Sequence, residues 1–300
     1  MFRTKKQKEK LADDLSAMSR KNSRIGDILS RLVRNKLGML GLIIIVVLLV
    51  LVVFAPIFTK YDPGMQSFKE RFVYPCSEHI LGTDNYGRDL WSRMLYGGRI
   101  SLLVALMAII ISSAVGITVG AISGYFGGKV DNVITRILDV LMAIPSLLMA
   151  IAVSSALGTG PLKTALAIAI SGIPYSARVM RSTVLTIKDN EYIEAAQATG
   201  STNARIIFKH VLPNTIAPLI VSATLDIGGN IMAISGLSFV GLGVQAPTPE
   251  WGSILSNGRE FLRDFPPIVI FPAVFIGLTL FGFNILGDAL RDALDPRLKD

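Results

Sequence analysis

Most ionisable residues of this chain lie outside its long apolar runs, so chemistry has few places to happen. Asp226 is the single acid within the apolar stretch Thr215–Val240. A carboxylate in such a run is costly and marks a functional position by default, here part of a substrate pathway. Gly228, Gly229 and Asn230 follow it and suit a loosened, hydrated helix, in which Asp226 and Asn230 face a wet pore without gripping a ligand. The second place is the polar run Lys188–Asn214. Asp189 or Asn190 can cap a helix whose first turn holds Glu191 and Glu194, as a helix dipole favours. Gly200 should end that helix, Ser201 or Thr202 start another, and Pro213 end the second before the next apolar run. Ala195, Ala196 and Ala198 make the first helix narrow enough to enter a cleft in another protein. An amphipathic surface helix that holds the bundle together fits the same residues.

Other chemistry finds no support. Gly127-Gly128-Lys129-Val130 is the nearest approach to a phosphate-binding loop, but position 123 is Ser123 and no hydroxyl follows the lysine. The chain should therefore hydrolyse no ATP and act as no enzyme. His79 and His210 fall on opposite proposed sides of the membrane, and Cys76, Glu78 and His79 lack further ligands, so neither a metal nor a cofactor is expected. A single cysteine, Cys76, excludes an intrachain disulfide. Arg178 and Arg181 read as anchors at the membrane interface or as contacts to a partner.

The elements that position these residues follow from composition. Of 300 residues 51% are hydrophobic and only 17% charged, against roughly 25% charged in soluble domains. This describes a polytopic membrane protein. The net charge of +8 is concentrated in Met1–Lys36, with eleven Lys/Arg against four Asp/Glu, which no nucleic-acid-binding surface would require. Gly38–Phe58 is 21 uncharged residues, enough to cross a hydrocarbon core of about 30 Å, and begins too late for a cleaved signal. Further crossings are expected at Ile100–Ser123, Ile137–Leu157, Pro161–Ala177 (interrupted by Gly172 and Pro174), Thr215–Val240 and Pro266–Gly287. The fold class is thus an all-α bundle of six membrane-spanning helices.

Twenty Lys/Arg fall on the proposed inside and eight on the outside, which places both termini in the cytoplasm. The chain then divides into a basic tail (1–37), a first helix (38–58), an outer loop (59–99), a core (100–287) with a cytoplasmic loop (178–214), and a C-terminal tail (288–300). Gly116, Gly120 and Gly124 share one helix face and should let a neighbouring helix approach closely. No internal repeat is evident, which counts against a secondary transporter built from inverted repeats.

Glu194-Ala195-Ala196, then Gly200, then Leu212-Pro213 resemble the cytoplasmic signature of binding-protein-dependent ABC transporter permeases, with His210 where the family usually has isoleucine. Leu81-Gly-Thr-Asp-Asn-Tyr-Gly-Arg-Asp89, Ser92-Arg93, Tyr96-Gly97 and Arg99-Ile-Ser-Leu102 resemble the dipeptide/oligopeptide/nickel branch, as do Leu237-Ser-Phe-Val-Gly-Leu-Gly-Val-Gln-Ala-Pro-Thr-Pro-Glu-Trp-Gly252 and Asn284-Ile-Leu-Gly-Asp-Ala-Leu-Arg-Asp-Ala-Leu-Asp-Pro296. The resemblance runs from Asn35 onward and points to the C-type permease of the branch. It implies that Glu194, Ala195, Ala196, Gly200, Leu212 and Pro213 belong to a coupling segment seated on an ATP-binding subunit. It also implies a second permease subunit, two ATP-binding subunits, an extracytoplasmic solute-binding protein and a bacterial cell membrane. Di- or oligopeptides are the leading cargo, nickel or a metal chelate the alternative. A proton-coupled transporter using Asp226 would need no ATPase and would leave the Glu-Ala-Ala loop unexplained.

Overall fold

The computed structural model describes Gly26 and residues 30–294. Most of the expected basic tail and the end of the C-terminal tail, with the closing Asp-Pro of the last signature, lie outside these residues. Within them the regular structure is helical, with one isolated antiparallel bridge between Thr83 and Asp89.

The helices are α1 (Lys36–Val53), α2 (Leu90–Phe126), α3 (Gly128–Met142), α4 (Ser146–Leu157), α5 (Pro161–Ile187), α6 (Glu191–Ala198), α7 (Asn203–Ile206), α8 (Leu212–Phe239), α9 (Trp251–Gly258) and α10 (Pro267–Leu294). Four helical stretches, α1, α2, Asn203–Phe239 and α10, are long and apolar enough to cross a membrane. A fifth crossing forms if α3 and α4 count as one span bent by 87°. The remaining expected crossing, Pro161–Ala177, opens the 27-residue α5, whose Lys163, Arg178 and Arg181 keep it out of that apolar class. The bundle matches the expected class, and a count of six requires α5.

Several boundaries differ from the expected ones. The first crossing breaks at Phe54 and resumes as one turn, Ala55–Phe58, with proline in its opening turn. The second starts ten residues early, at Leu90, because Asp89 caps it: Oδ2 accepts from the Ser92 N–H at 2.7 Å. Arg99, counted with the outer loop, lies inside α2. Its guanidinium donates to the carbonyls of Val52 (2.8 Å) and Val53 (2.6 Å), which satisfies the open C-terminal end of α1. Gly172 and Pro174 do not interrupt α5.

Pro213 does not end a helix either. It sits in the first turn of α8, where its missing N–H is tolerated, and the π-helical turn Ile207–Val211 carries the path on from α7.

The main core lies between α2, α5, α8, α9 and α10 and is centred on Met94, Ala105, Ile168, Ile234, Trp251 and Ile268. The expected close approach is present. A Cβ on Gly116 would lie 2.4 Å from Ser176 Cβ, one on Gly120 2.3 Å from the Ala177 carbonyl oxygen, and one on Gly124 2.8 Å from Val184 Cβ. The glycine face of α2 therefore packs on α5 nearly backbone to backbone. The segment Thr59–Asp89 and the segment Gly241–Phe265 meet at one end of this bundle: Phe72 stacks with Phe261 and Phe265 at 5.0 and 5.5 Å.

Candidate functional site

Two regions could act, and they occupy different parts of the molecule. The first is the loop from α5 to α8. Asn190 stands at the N-cap of α6, although its side chain makes no capping bond; Thr202 does cap α7, accepting from the Arg205 N–H at 3.4 Å. At the other end of α6 the Gly200 N–H donates to Gln197 O (2.9 Å) and the Ser201 N–H to Ala196 O (3.1 Å). Gly200 has φ +76°, so the pair of bonds closes a left-handed helix stop that glycine adopts without strain.

This stop splits α6 into two faces. Ile193 and Ala196 are buried in a small core with Ala121, Met180, Val184, Ile206 and Val211. Glu191, Tyr192, Glu194, Ala195, Gln197, Ala198 and Gly200 are exposed. Ala196 thus packs against its own chain, whereas Glu194, Ala195 and Gly200 face away from it. Leu212 is half-buried beside the small core and Pro213 is exposed.

The second region is a cavity of about 750 Å³. It is lined at the bend between α3 and α4 (Met142–Ser146), along the Gly172–Pro174 stretch of the unbroken α5 and by the glycine-bearing middle of α8. Asp226 and Asn230 both line it, one helical turn apart, with Ser112, Ser171 and Tyr175 among the other polar groups. Asp226 is the only charged residue on its wall. It is half-buried. The cavity can pass or hold a polar solute, but no nucleophile and base stand together in it.

The structure reassigns the arginines. Arg178 pairs with Asp139, and Arg181 forms a two-pronged pair with Asp131, Nε to Oδ1 at 2.5 Å and Nη2 to Oδ2 at 2.6 Å. Both tie α5 to α3 inside this chain, so neither is a spare contact for a partner. Asp131 carried no signal in an apolar-run reading because its partner lies 50 residues away.

Glu250 was also missed as a site residue. It is fully buried and caps α9, with Oε1 accepting from Ser101 Oγ (2.9 Å) and the Gly252 N–H (2.8 Å), and Oε2 from Ser238 Oγ (2.8 Å) and the Ser253 N–H (2.8 Å). An acid directly before Trp-Gly-Ser was its only sequence signal, the pattern of a helix cap. His79 belongs to the segment Thr59–Asp89, Nδ1 at 2.9 Å from Asp89 Oδ1 and its ring beside Tyr61.

The chain is thus a helical membrane bundle with a cavity beside the α3–α4 bend and a surface helix, α6. Comparison with known proteins specifies the class. Residues 116–300 match the model of the binding-protein-dependent transport system inner membrane component, and residues 23–75 match the N-terminal transmembrane domain of oligopeptide transport permease C. The chain is 44% identical to the dipeptide transport system permease protein DppC of Alkalihalophilus pseudofirmus, over 91% of this chain and 90% of that one. It is 40% identical to the oligopeptide transport system permease protein OppC of Bacillus subtilis, over 96% and 95%. An inward-facing structure of the MetNI methionine ABC transporter superposes with a TM-score of 0.56 at 17% identity, over 69% of this chain and 98% of that one, a likeness of fold. The chain belongs to the family of binding-protein-dependent transport system inner membrane components, multi-pass proteins of the bacterial inner membrane.

Proposed function

We propose that this chain is the C-type permease of an ATP-driven importer of di- or oligopeptides. The observation that carries the proposal is the two-faced α6 with its glycine stop, set in a chain 44% identical to a dipeptide permease. The inward face of α6 fixes the helix to the bundle, and its outward face, with Glu194, Ala195 and Gly200, is left for an ATP-binding subunit. Leu212 and Pro213 then hand its motion to α8, which carries Asp226 and Asn230 along the cavity wall. A second permease completes the pathway, and two ATP-binding subunits close on ATP and drive it between outward- and inward-facing packings. A solute-binding protein delivers peptide to the end formed by Thr59–Asp89 and Gly241–Phe265. Both termini lie in the cytoplasm, as the Lys/Arg asymmetry supports. The chain itself hydrolyses no ATP, since the phosphate cradle is missing from its sequence.

The test is uptake of a radiolabelled dipeptide by proteoliposomes holding the whole transporter and its binding protein, with ATP inside. Peptide uptake that requires ATP and this chain is expected. Uptake of nickel in place of peptide, or peptide uptake driven by a proton gradient without ATP, would overturn the assignment.

A further inference from the structure

We infer that α3 is a hinged lever, and that Arg181 and Asp131 are the positioning residues by which the docking helix α6 moves the cavity wall. The inference rests on reading α6 as the docking helix and adds the path by which its motion reaches the cavity.

The path is continuous. Under α6, Ile193 and Ala196 pack with Met180 and Val184 of α5. Arg181 lies between those two residues in sequence and holds Asp131 of α3 with both prongs of its guanidinium. Asp131 also accepts from Ser123 Oγ (2.5 Å) and Thr135 Oγ1 (3.2 Å). The far end of α3 supplies Leu141 and Met142 to the cavity wall, and the bend beyond it adds Ile144 and Pro145. A contiguous set of contacts thus runs from the docking surface to the pathway.

The lever reading comes from how loosely α3 is otherwise held. Among its 15 residues only Leu138 is buried, so apolar packing contributes little to fixing it. Its apolar residues Val133, Ile137 and Val140 are 57–69% exposed. Both of its ends are joints. At the start, Gly127 and Gly128 have φ +62° and +53°, and a Cβ on either would meet nothing within 4 Å. At the other end α3 meets α4 at 87°. A rigid helix between two joints goes where its side ties take it. Of those ties, Arg178–Asp139 has both side chains about half exposed (50% and 52%) and is screened by water. Arg181–Asp131 is better shielded (28% and 15%) and two-pronged, so it dominates.

The test uses the whole transporter in proteoliposomes and reads dipeptide uptake per ATP hydrolysed. Asp131→Asn and Arg181→Gln should keep the ATP-binding subunits bound and hydrolysis within about twofold, while uptake per ATP falls roughly 3- to 30-fold. The exchange Asp131→Arg with Arg181→Asp should recover part of that loss, and Arg178→Gln should stay near wild type. A purely structural tie would lower abundance and leave uptake per ATP of the surviving complexes unchanged, which overturns the lever. Should the single variants insert poorly, Gly127→Ala keeps both pairs but strains the first joint, and it carries the same expectation; normal uptake per ATP in it also overturns the lever. Glu194→Lys, measured alongside, separates the two readings. If it releases the ATPase while Asp131→Asn and Gly127→Ala transport normally, the lever fails and docking stands. If it binds the ATPase and transports normally, docking fails and the lever falls with it.

Discussion

At the bundle end carrying Thr59–Asp89, a set of side chains, Asp84, Arg88 and Asp89 with His79, is buried and paired within the chain, although Lys60, Asp62, Lys69, Glu70, Arg71 and Glu78 there are exposed; α6 at its own end presents Glu191 and Glu194 with no ion-pair partner among the described residues. Asp84 accepts from the N–H groups of Tyr86 (2.8 Å) and Arg88 (3.0 Å) and from Arg88 Nε (2.6 Å), with Arg93 Nε 3.4 Å away. His79 is held by Asp89, and Glu250 takes four donors. These buried acids therefore meet their polar needs internally, although Ser92 Oγ and Arg93 Nε beside them carry no hydrogen bond. The α6 loop meets only its apolar needs, through Ile193 and Ala196, and leaves its polar face unused. A buried polar group must be satisfied by the chain that buries it. An exposed face carries no such demand and remains free for a partner. The buried network favours a single arrangement, whereas no ion pair among the described residues holds the exposed face of α6.

Breaking the buried side of this contrast should cost most. Glu250→Ala would leave two hydroxyls and two N–H groups facing a hole and free the first turn of α9. Leaving a buried donor unsatisfied costs about 1–3 kcal/mol. The expected outcome is a severalfold fall in membrane abundance, read by quantitative immunoblot of the membrane fraction. Wild-type abundance would show that the outer end is not internally fixed, and the contrast with α6 would lose its firmer half.

The exposed side should respond in function and not in abundance. Gly200→Val forces a β-branched residue to φ +76°, and Glu194→Lys reverses a charge on the free face. A Cβ at Gly200 meets nothing within 4 Å, so the penalty is backbone strain alone, on the order of 1–3 kcal/mol and local to the loop. Both variants should insert normally, and both should weaken ATPase co-purification or uncouple hydrolysis from import. Wild-type import and co-purification at matched abundance in both would reduce α6 to a solvated surface helix.

Legibility in the sequence follows the same division. The spans, the glycine face of α2 and the helix–glycine–helix loop were readable because each depends on local periodicity or a local stop. The inward turn of Ala196 was not, because a run of small residues does not reveal which face finds a core. Pro213 misled for a related reason. A proline ends a helix that stands alone, but here a π-helical turn lets α8 begin on it. Asp131 and Arg181 were out of reach because they pair across 50 residues, and no periodicity pairs residues at such a distance; Glu250 carried only the local cap signal before Trp251, while its tie to Ser101 spans 149 residues.

Asp226 sits between these extremes and should show the smallest effect. It is half-buried, unlike the exposed acids of α6. It also faces an open cavity of about 750 Å³, like the acids of α6 in being free to meet something else. An amide in place of the carboxylate keeps the volume and a polar tip. Asp226→Asn should therefore leave assembly unchanged and alter import by no more than about two- to threefold, the size expected of a substitution that breaks no buried network. The measurement is peptide uptake at matched abundance, repeated with the proton gradient collapsed while internal ATP is held constant. Insensitivity to the gradient in both wild type and variant fits a carboxylate that only lines the path. Complete loss of uptake in an assembled complex would place Asp226 in the mechanism itself, and the cavity would then join the internally paired regions as a part of the chain that tolerates no change.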